Sequence, residues 1–147
     1  MSKFSLTIDA MGLARQIAAL VTAGGQLHMK VTPHMVLNSG VKYLIELMGD
    51  SIVGVVGHEL VRDNVSEIKH LCVHPSYRGR GLGKKLLSKA MVAAPTEYVF
   101  GLVRSNNEIN IRNNLSVGMR PVGKKRACGS YHLIVFAKKK TLGRRAT

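Results

Sequence analysis

The stretch Val73-His74-Pro75-Ser76-Tyr77-Arg78-Gly79-Arg80-Gly81-Leu82-Gly83-Lys84-Lys85 limits this chain more than any other. A β-branched, strand-like run ends at Val73. Three glycines at alternate positions follow, and then Leu82, Leu86, Leu87, Ala90 and Ala94 fall on one helical stripe that Pro95 stops. The segment therefore predicts strand, tight glycine loop, helix. Glycines let the loop turn with its N–H groups outward and with no Cβ in the way. The start of a helix adds partial positive charge. Arg78, Arg80, Lys84 and Lys85 place full charges around it. Such a nest suits a diphosphate, although a basic surface loop at a helix start would read the same way.

Two common diphosphate motifs are excluded. A dinucleotide fingerprint starting at Gly79 needs glycine where Lys84 stands. A nucleotide P-loop needs glycine at Arg78 and Ser or Thr at Lys85, where a hydroxyl would hold magnesium. No metal set is expected.

The rest of the chain supplies the context. Phe4 to Ile8 alternates and predicts a first strand. Asp9 would cap a helix carrying Leu13, Ile17, Leu20 and Val21 and ending at Gly24-Gly25. Gln26 to Gly40 predicts loop. Val41 to Met48 and Ile52 to Leu60, joined by Gly49-Asp50-Ser51, predict a hairpin, and Arg62-Asp63-Asn64 turns into a strand from Ser66 to Val73. Tyr98 to Val103 predicts a strand, and Ser105 to Glu108 has the form of a capping box for a helix closing at Gly118. Met119 to Val122 and Tyr131 to Phe136 predict final strands. The expected class is α/β with a mixed central sheet flanked by helices. One domain over 1–137 is expected, with a frayed basic tail over 138–147.

Arg78-x-x-Gly81-x-Gly83 after a Val-x-Pro strand end resembles the pyrophosphate-binding motif of the GNAT superfamily of acyl-CoA-dependent N-acyltransferases. The likeness runs from about Val41 to Phe136. It implies a domain that takes acetyl-CoA and transfers the acetyl group to an amine. The backbone of Leu71 and Val73 would pair with the pantetheine arm. The loop Arg78-Gly79-Arg80-Gly81, with Gly83 and Lys84, would hold the pyrophosphate, and an amide near Val73 would face the oxyanion. Asn107, matching a cofactor-contacting position, could equally be a helix cap.

Candidate catalytic groups follow from the same likeness. Glu67 lies six residues before Val73, the spacing of the glutamate in the histone-acetylating branch. In a regular strand it would share a face with Val73, with His70 on the other. A solvated strand-end carboxylate is the plainer reading. His74 could touch CoA or lie exposed. The family's thiolate-protonating tyrosine would fall at Asn114, and Met119 replaces a usual aromatic. An amide is no useful general acid. The thiolate could leave unaided, Ser116 or Tyr131 could supply a proton, or the domain could bind CoA without transfer. Either Tyr131 or His132 would face the acceptor cleft.

Charge and cysteine content bound the partners. Across 147 residues, 22 Lys plus Arg against 8 Asp plus Glu give a net charge of +14. Such a surface suits nucleic acid or a nucleoprotein, so aminoacyl-tRNA or a protein amine fits as acceptor better than a small polyamine. The rival is a non-catalytic module gripping a polyanion through Lys124-Lys125-Arg126, Lys138-Lys139-Lys140 and Arg144-Arg145. Cys72 and Cys128 are too few for a disulfide framework. No apolar run predicts a membrane span, and no leader pattern opens the chain, so a cytoplasmic protein is expected, with a homodimer possible.

Overall fold

A computed structural model of the chain describes residues 3–24, 30–126 and 129–140, with side chains in the first helix from Ala10 onward. Helix α1 (Lys3–Ala23) and the short α2 (Pro33–Asn38) precede β1 (Lys42–Met48), β2 (Ser51–Arg62) and β3 (Val65–Val73). Helix α3 (Leu82–Ala93), β4 (Tyr98–Arg104), α4 (Glu108–Ser116), β5 (Arg120–Lys125) and β6 (Leu133–Lys139) complete the chain. The six strands form one mixed sheet in the order β1-β2-β3-β4-β6-β5, with β3 and β4 parallel and the other neighbours antiparallel. Helices lie on both faces, the expected α/β class. No helix among the described residues is long and apolar enough to cross a membrane.

Two cores fix this arrangement. On one face α3 buries Leu86, Leu87, Ala90 and Met91 against Val56, Ile68, Val99, Val103 and Phe136. On the other, α1 buries Ala14, Ile17, Ala18 and Val21 against Val55 and Ile52, with α2 adding Val36. Those α1 positions recur at i, i+3, i+4 and i+7, so a single helical stripe does the packing.

Several expectations need correction. Phe4 to Ile8 is helix rather than strand, and Asp9 is internal to α1 instead of capping it. Five alternating residues are too few to outweigh a helical stripe that continues without a break. The buried stripe uses Ala14 and Ala18 where Leu13 was expected, and Leu13 is exposed. In the supposed loop, Pro33 opens α2 because proline fits the first helical position. Thr32 caps it, its Oγ1 accepting from the Met35 amide at 3.2 Å; Gln26 to Met29 lie outside the described residues. Asn107, not Ser105, caps α4, its side-chain oxygen accepting from the Asn110 amide at 3.1 Å. Ser105 instead ties β4 to the start of β6, its hydroxyl accepting from the His132 amide at 3.1 Å. The last strand begins at Leu133, after Tyr131 and His132. It also runs into the expected tail. Lys138 and Lys139 belong to it, and the Lys140 ammonium donates to the carbonyls of Met91 and Ala94 at the end of α3.

The decisive irregularity is in β3. Gly57 faces Lys69 and Val55 faces Cys72, so His70 and Leu71 together oppose Val56 alone. This is a β-bulge, and His70 takes φ +58°. The bulge reverses which face each later side chain meets. Ile68 packs on the α3 side before it, Leu71 and Val73 pack there after it, and Cys72 turns to the α1 side. Beyond the bulge β3 also leaves β4, since their parallel pairing covers Val65–Ile68 and Tyr98–Gly101 and stops. At the last rung Gly101 eases the approach, because a Cβ there would sit 3.2 Å from the Ile68 carbonyl oxygen, a tight contact.

His70 is held by Tyr43 on β1. The rings stack with centroids 5.8 Å apart, and the Tyr43 hydroxyl lies 2.7 Å from His70 Nδ1. Burial, then the Lys69 charge, pushes the imidazole pKa down to about 4. Burial, then Glu59, pushes the Tyr43 hydroxyl up to about 12. Near neutral pH both are uncharged, so the bond joins two neutral groups. Gly57 makes the contact possible, since a Cβ there would come 2.5 Å from Val41 Cγ1 and 3.3 Å from Tyr43 Cε1.

Two stability effects follow. Gly57→Val overpacks this seam and lowers the unfolding free energy by about 1–3 kcal/mol in urea titration. For pH, native His70 binds fewer protons than unfolded His70 between its depressed value of about 4 and the ordinary 6.5. Stability is therefore full above that window and falls as pH drops through it. Asn tolerates positive φ, so His70→Asn keeps the bulge and flattens that slope relative to the parent. His58, also depressed by burial, is present in both proteins.

Candidate functional site

The site lies where β3 and β4 separate, with the glycine loop at its rim. Beyond Ile68 the edge of β3 facing β4 has no strand partner among the described residues, and Leu71 and Val73 lie on it. The loop begins with a short 3₁₀ turn (Pro75–Tyr77) capped by His74, whose Nδ1 accepts from the Ser76 amide at 3.1 Å. His74 is otherwise exposed, so its ring serves the turn. Arg78 folds back, its Nε donating to the Val73 carbonyl at 3.1 Å. Arg80 lies 5.1 Å above the Tyr77 ring.

Gly79 and Gly81 have φ +78° and +80°, which only glycine adopts without strain, and neither has a heavy atom within 4 Å of where a Cβ would stand. Gly81 is the N-cap of α3, and no side chain caps it. The first helical bond runs from the Lys85 amide to the Gly81 carbonyl, so the amides of Gly81 to Lys84 have no acceptor within the helix. Gly83 has a different duty. A Cβ there would meet Asn113 Nδ2 at 2.6 Å, so its bareness lets α3 and α4 approach. Its amide still belongs to the uncapped turn.

The cations divide. Lys85 and Lys89 pair with Glu46 on β1, and chiefly through Lys89 they hold its carboxyl below the ordinary value. Lys85 therefore fastens α3 to the sheet rather than guarding the loop. Arg78, Arg80 and Lys84 are exposed, with no carboxylate partner among the described residues. An uncapped helix start, two open left-handed glycines and three exposed cations fit a diphosphate, and the bare edge of β3 fits an extended amide-bearing chain beside it.

The candidate catalytic residues are not brought together. Glu67 and Val73 were expected on one face; the bulge puts them on opposite faces. Glu67 lies with Glu59 and Lys69 on the α1 side, 3.7 Å from the Lys69 ammonium, which is 3.4 Å from Glu59. His70, expected opposite Glu67, is on Glu67's side through its stack on Tyr43. Arg104 also points that way, since Val103 packs toward α3, and its guanidinium lies 4.4 Å over the Tyr131 ring. Asn114 is elsewhere. It is buried in α4, and its side-chain amide donates to both the carbonyl and the side-chain oxygen of Asn110, at 2.8 and 3.0 Å. Both hydrogens are thus committed within the helix. Ser116 donates to the Asn113 carbonyl at 2.7 Å. Asn107 serves α4 as its cap.

The Tyr43–His70 pair and the Arg104–Tyr131 stack escaped the sequence reading. Nothing local marks His70 as a bulge residue, because the bulge is defined by which β2 residues it faces.

Comparison with known proteins agrees with this geometry. A segment of 57 residues is 37% identical to an uncharacterised protein of Mycobacterium leprae, covering 39% of this chain and 16% of that protein. In fold, the chain is similar to a putative acetyltransferase of Salmonella typhimurium solved with its cofactor acetyl-CoA (TM-score 0.69, 20% identity, 95% and 92% of the two chains). It is similar also to a ribosomal-protein-alanine N-acetyltransferase of Brucella melitensis (TM-score 0.72, 19% identity, 90% and 95%). The sequence pattern of the acetyltransferase (GNAT) family matches residues 23–113, more than half of the chain, and to that family the protein belongs.

Proposed function

We propose that this protein is an N-acetyltransferase that takes its acetyl group from acetyl-CoA and gives it to an amine. The observation that carries the reading is the pairing of two features, the uncapped α3 start with its exposed cations and the unpaired edge of β3 beside it. Family membership supports it, as do fold relatives described with acetyl-CoA, from Salmonella typhimurium and Elizabethkingia anophelis.

In this reading the amides of Arg80, Gly81, Gly83 and Lys84 hold the pyrophosphate, with the charges of Arg78 and Lys84 beside them and Gly79 giving the loop its turn. The Leu71 and Val73 backbone groups pair with the pantetheine arm, and Asn107 borders it at the start of α4. Acetyl-CoA supplies a thioester whose carbonyl carbon the amine attacks, breaking the carbon–sulfur bond. The chain's residues must take a proton from the amine and steady the developing charge. Glu67 is our proton acceptor, through water, with Lys69 keeping its carboxylate oriented. Amides near Val73 serve the oxyanion.

The thiolate needs less help. With a thiol pKa of about 8.5 it leaves tolerably near neutral pH. Asn114, whose amide hydrogens serve Asn110, therefore shapes α4 beside the site in place of a tyrosine acid. Tyr131, just before β6 with its ring against Arg104 at the end of β4, is the hydroxyl we assign to return the proton.

The test is release of the CoA thiol from acetyl-CoA with lysine-bearing and N-terminal peptide amines and with aminoacyl-tRNA. We expect Glu67→Gln to lower kcat/KM by about 10²-fold, with the loss shrinking as pH approaches the acceptor's pKa, about 10 for a lysine and about 8 for an α-amine. Tyr131→Phe lowers kcat less. Full activity in Glu67→Gln would remove that residue's role, and no turnover by the parent with any of these amines would remove the enzyme reading.

A further inference from the structure

We propose that the exposed strand β5 and the Arg104–Tyr131 stack beside it form a docking surface for a single-stranded nucleic acid. The sequence carries three basic runs, and the structure treats them differently. Lys138-Lys139-Lys140 is engaged, Lys138 donating to the Val117 carbonyl, Lys139 pairing with Glu97, and Lys140 closing the end of α3. Arg144-Arg145 lies outside the described residues. Lys124-Lys125-Arg126 is exposed, as is Arg120 at the start of the same strand, and none of the four has a carboxylate partner among the described residues.

Edge protection does not account for this charge. A lysine or two, a proline or a bulge is enough to stop one sheet edge pairing with another. β5 already has Pro121 and a register break between Pro121 and Gly123. Its cations exceed that need.

Their position separates them from the glycine loop. Lys125 pairs with Leu133, which pairs with Arg104, so one row of side chains crosses from the β5 edge to the end of β4. Three strand spacings, about 14 Å, separate β5 from β3. That exceeds the Debye length of about 8 Å at physiological salt. Phosphates held at the loop therefore leave the β5 cations unneutralised. From Arg120 to Arg126 the chain extends about 20 Å at about 3.3 Å per residue. Arg120 and Lys125 face the α1 side and Lys124 the α3 side, so the cations flank both faces of the edge strand over that length. That matches an extended polyanion lying along the edge better than a small one. The Arg104 guanidinium, backed by the Tyr131 ring 4.4 Å beneath it, adds a planar group near the end of β5 on which a nucleobase can stack, a contact an acidic side chain does not make.

The test measures fluorescence anisotropy of a labelled oligouridylate of about 20 nucleotides across about 50–200 mM salt. It is run with the full chain, with Lys124→Ala/Lys125→Ala/Arg126→Ala, and with the charge-matched Arg15→Ala/Lys30→Ala/Lys42→Ala on exposed positions elsewhere. Circular dichroism checks that each variant is folded. The β5 variant should bind at least about tenfold more weakly at 0.1 M salt, with the log–log salt slope reduced by about 2; the control should keep most of the parent slope. Excess CoA should leave binding in place. Equal losses in the two variants, displacement by CoA, equal competition by polyglutamate, or no binding at the lowest salt would each overturn the proposal. The titration is run on Lys124, Lys125 and Arg126, none of which the acetyltransferase reading uses, so failure here leaves that reading standing, and the reverse.

Discussion

An extra residue in β3 governs the geometry of the cleft. With His70 and Leu71 set against Val56, the strand turns, its side chains change faces, and its path leaves β4. The open backbone edge exists because of that departure. So does the placement of Leu71 and Val73 with the α3 core, which anchors the edge from behind. The bulge depends on distant supports. Tyr43 reaches over Gly57 to bond His70, and Gly101 lets β4 come close at the last paired rung before the strands part. Burial keeps both members of the Tyr43–His70 pair uncharged near neutral pH, so the hinge of the cleft is polar without being ionic.

Charge is divided around this frame in a consistent way. Glu46 fastens α3 to β1, Glu97 meets Lys139 at the far end of the sheet, and Glu59 and Glu67 share Lys69. With so few acids, these structural duties leave the cations of the loop and of β5 without partners among the described residues. Among the described residues, two separate places thus gather several exposed cations without a carboxylate partner. One is suited to the phosphates of a cofactor, the other to a longer anion.

Much of this was legible in the sequence. The loop's glycines, the β1–β2 hairpin and the α3 stripe are set by contacts within a few residues, so spacing reveals them. The family likeness rested on the same residues, Arg78, Gly81 and Gly83. What could not be read depends on partners far along the chain. Alternation in β3 predicts faces correctly up to Lys69 and wrongly beyond it, because the bulge is a matter of register with β2. Lys138 to Lys140 look like a tail until α3 and Glu97 supply their acceptors. The engagement of Asn114 with Asn110 is one helical turn long, yet sequence alone could not say which way the amide points. Phe4 to Ile8 failed for the opposite reason, since five residues of alternation carry too little information to compete with a long helix.

The central claim is that the start of α3 holds the diphosphate of acetyl-CoA. Isothermal titration of acetyl-CoA into the parent and into Lys84→Glu tests it most directly. Glutamate in the first turn of a helix favours the helix dipole, so the variant keeps its fold while placing a carboxylate at the anion nest. The account predicts saturable one-to-one binding by the parent, and binding weakened by at least about tenfold in the variant, a difference of about 1.4 kcal/mol. Equal affinity in both, or no binding by a folded parent, would contradict it.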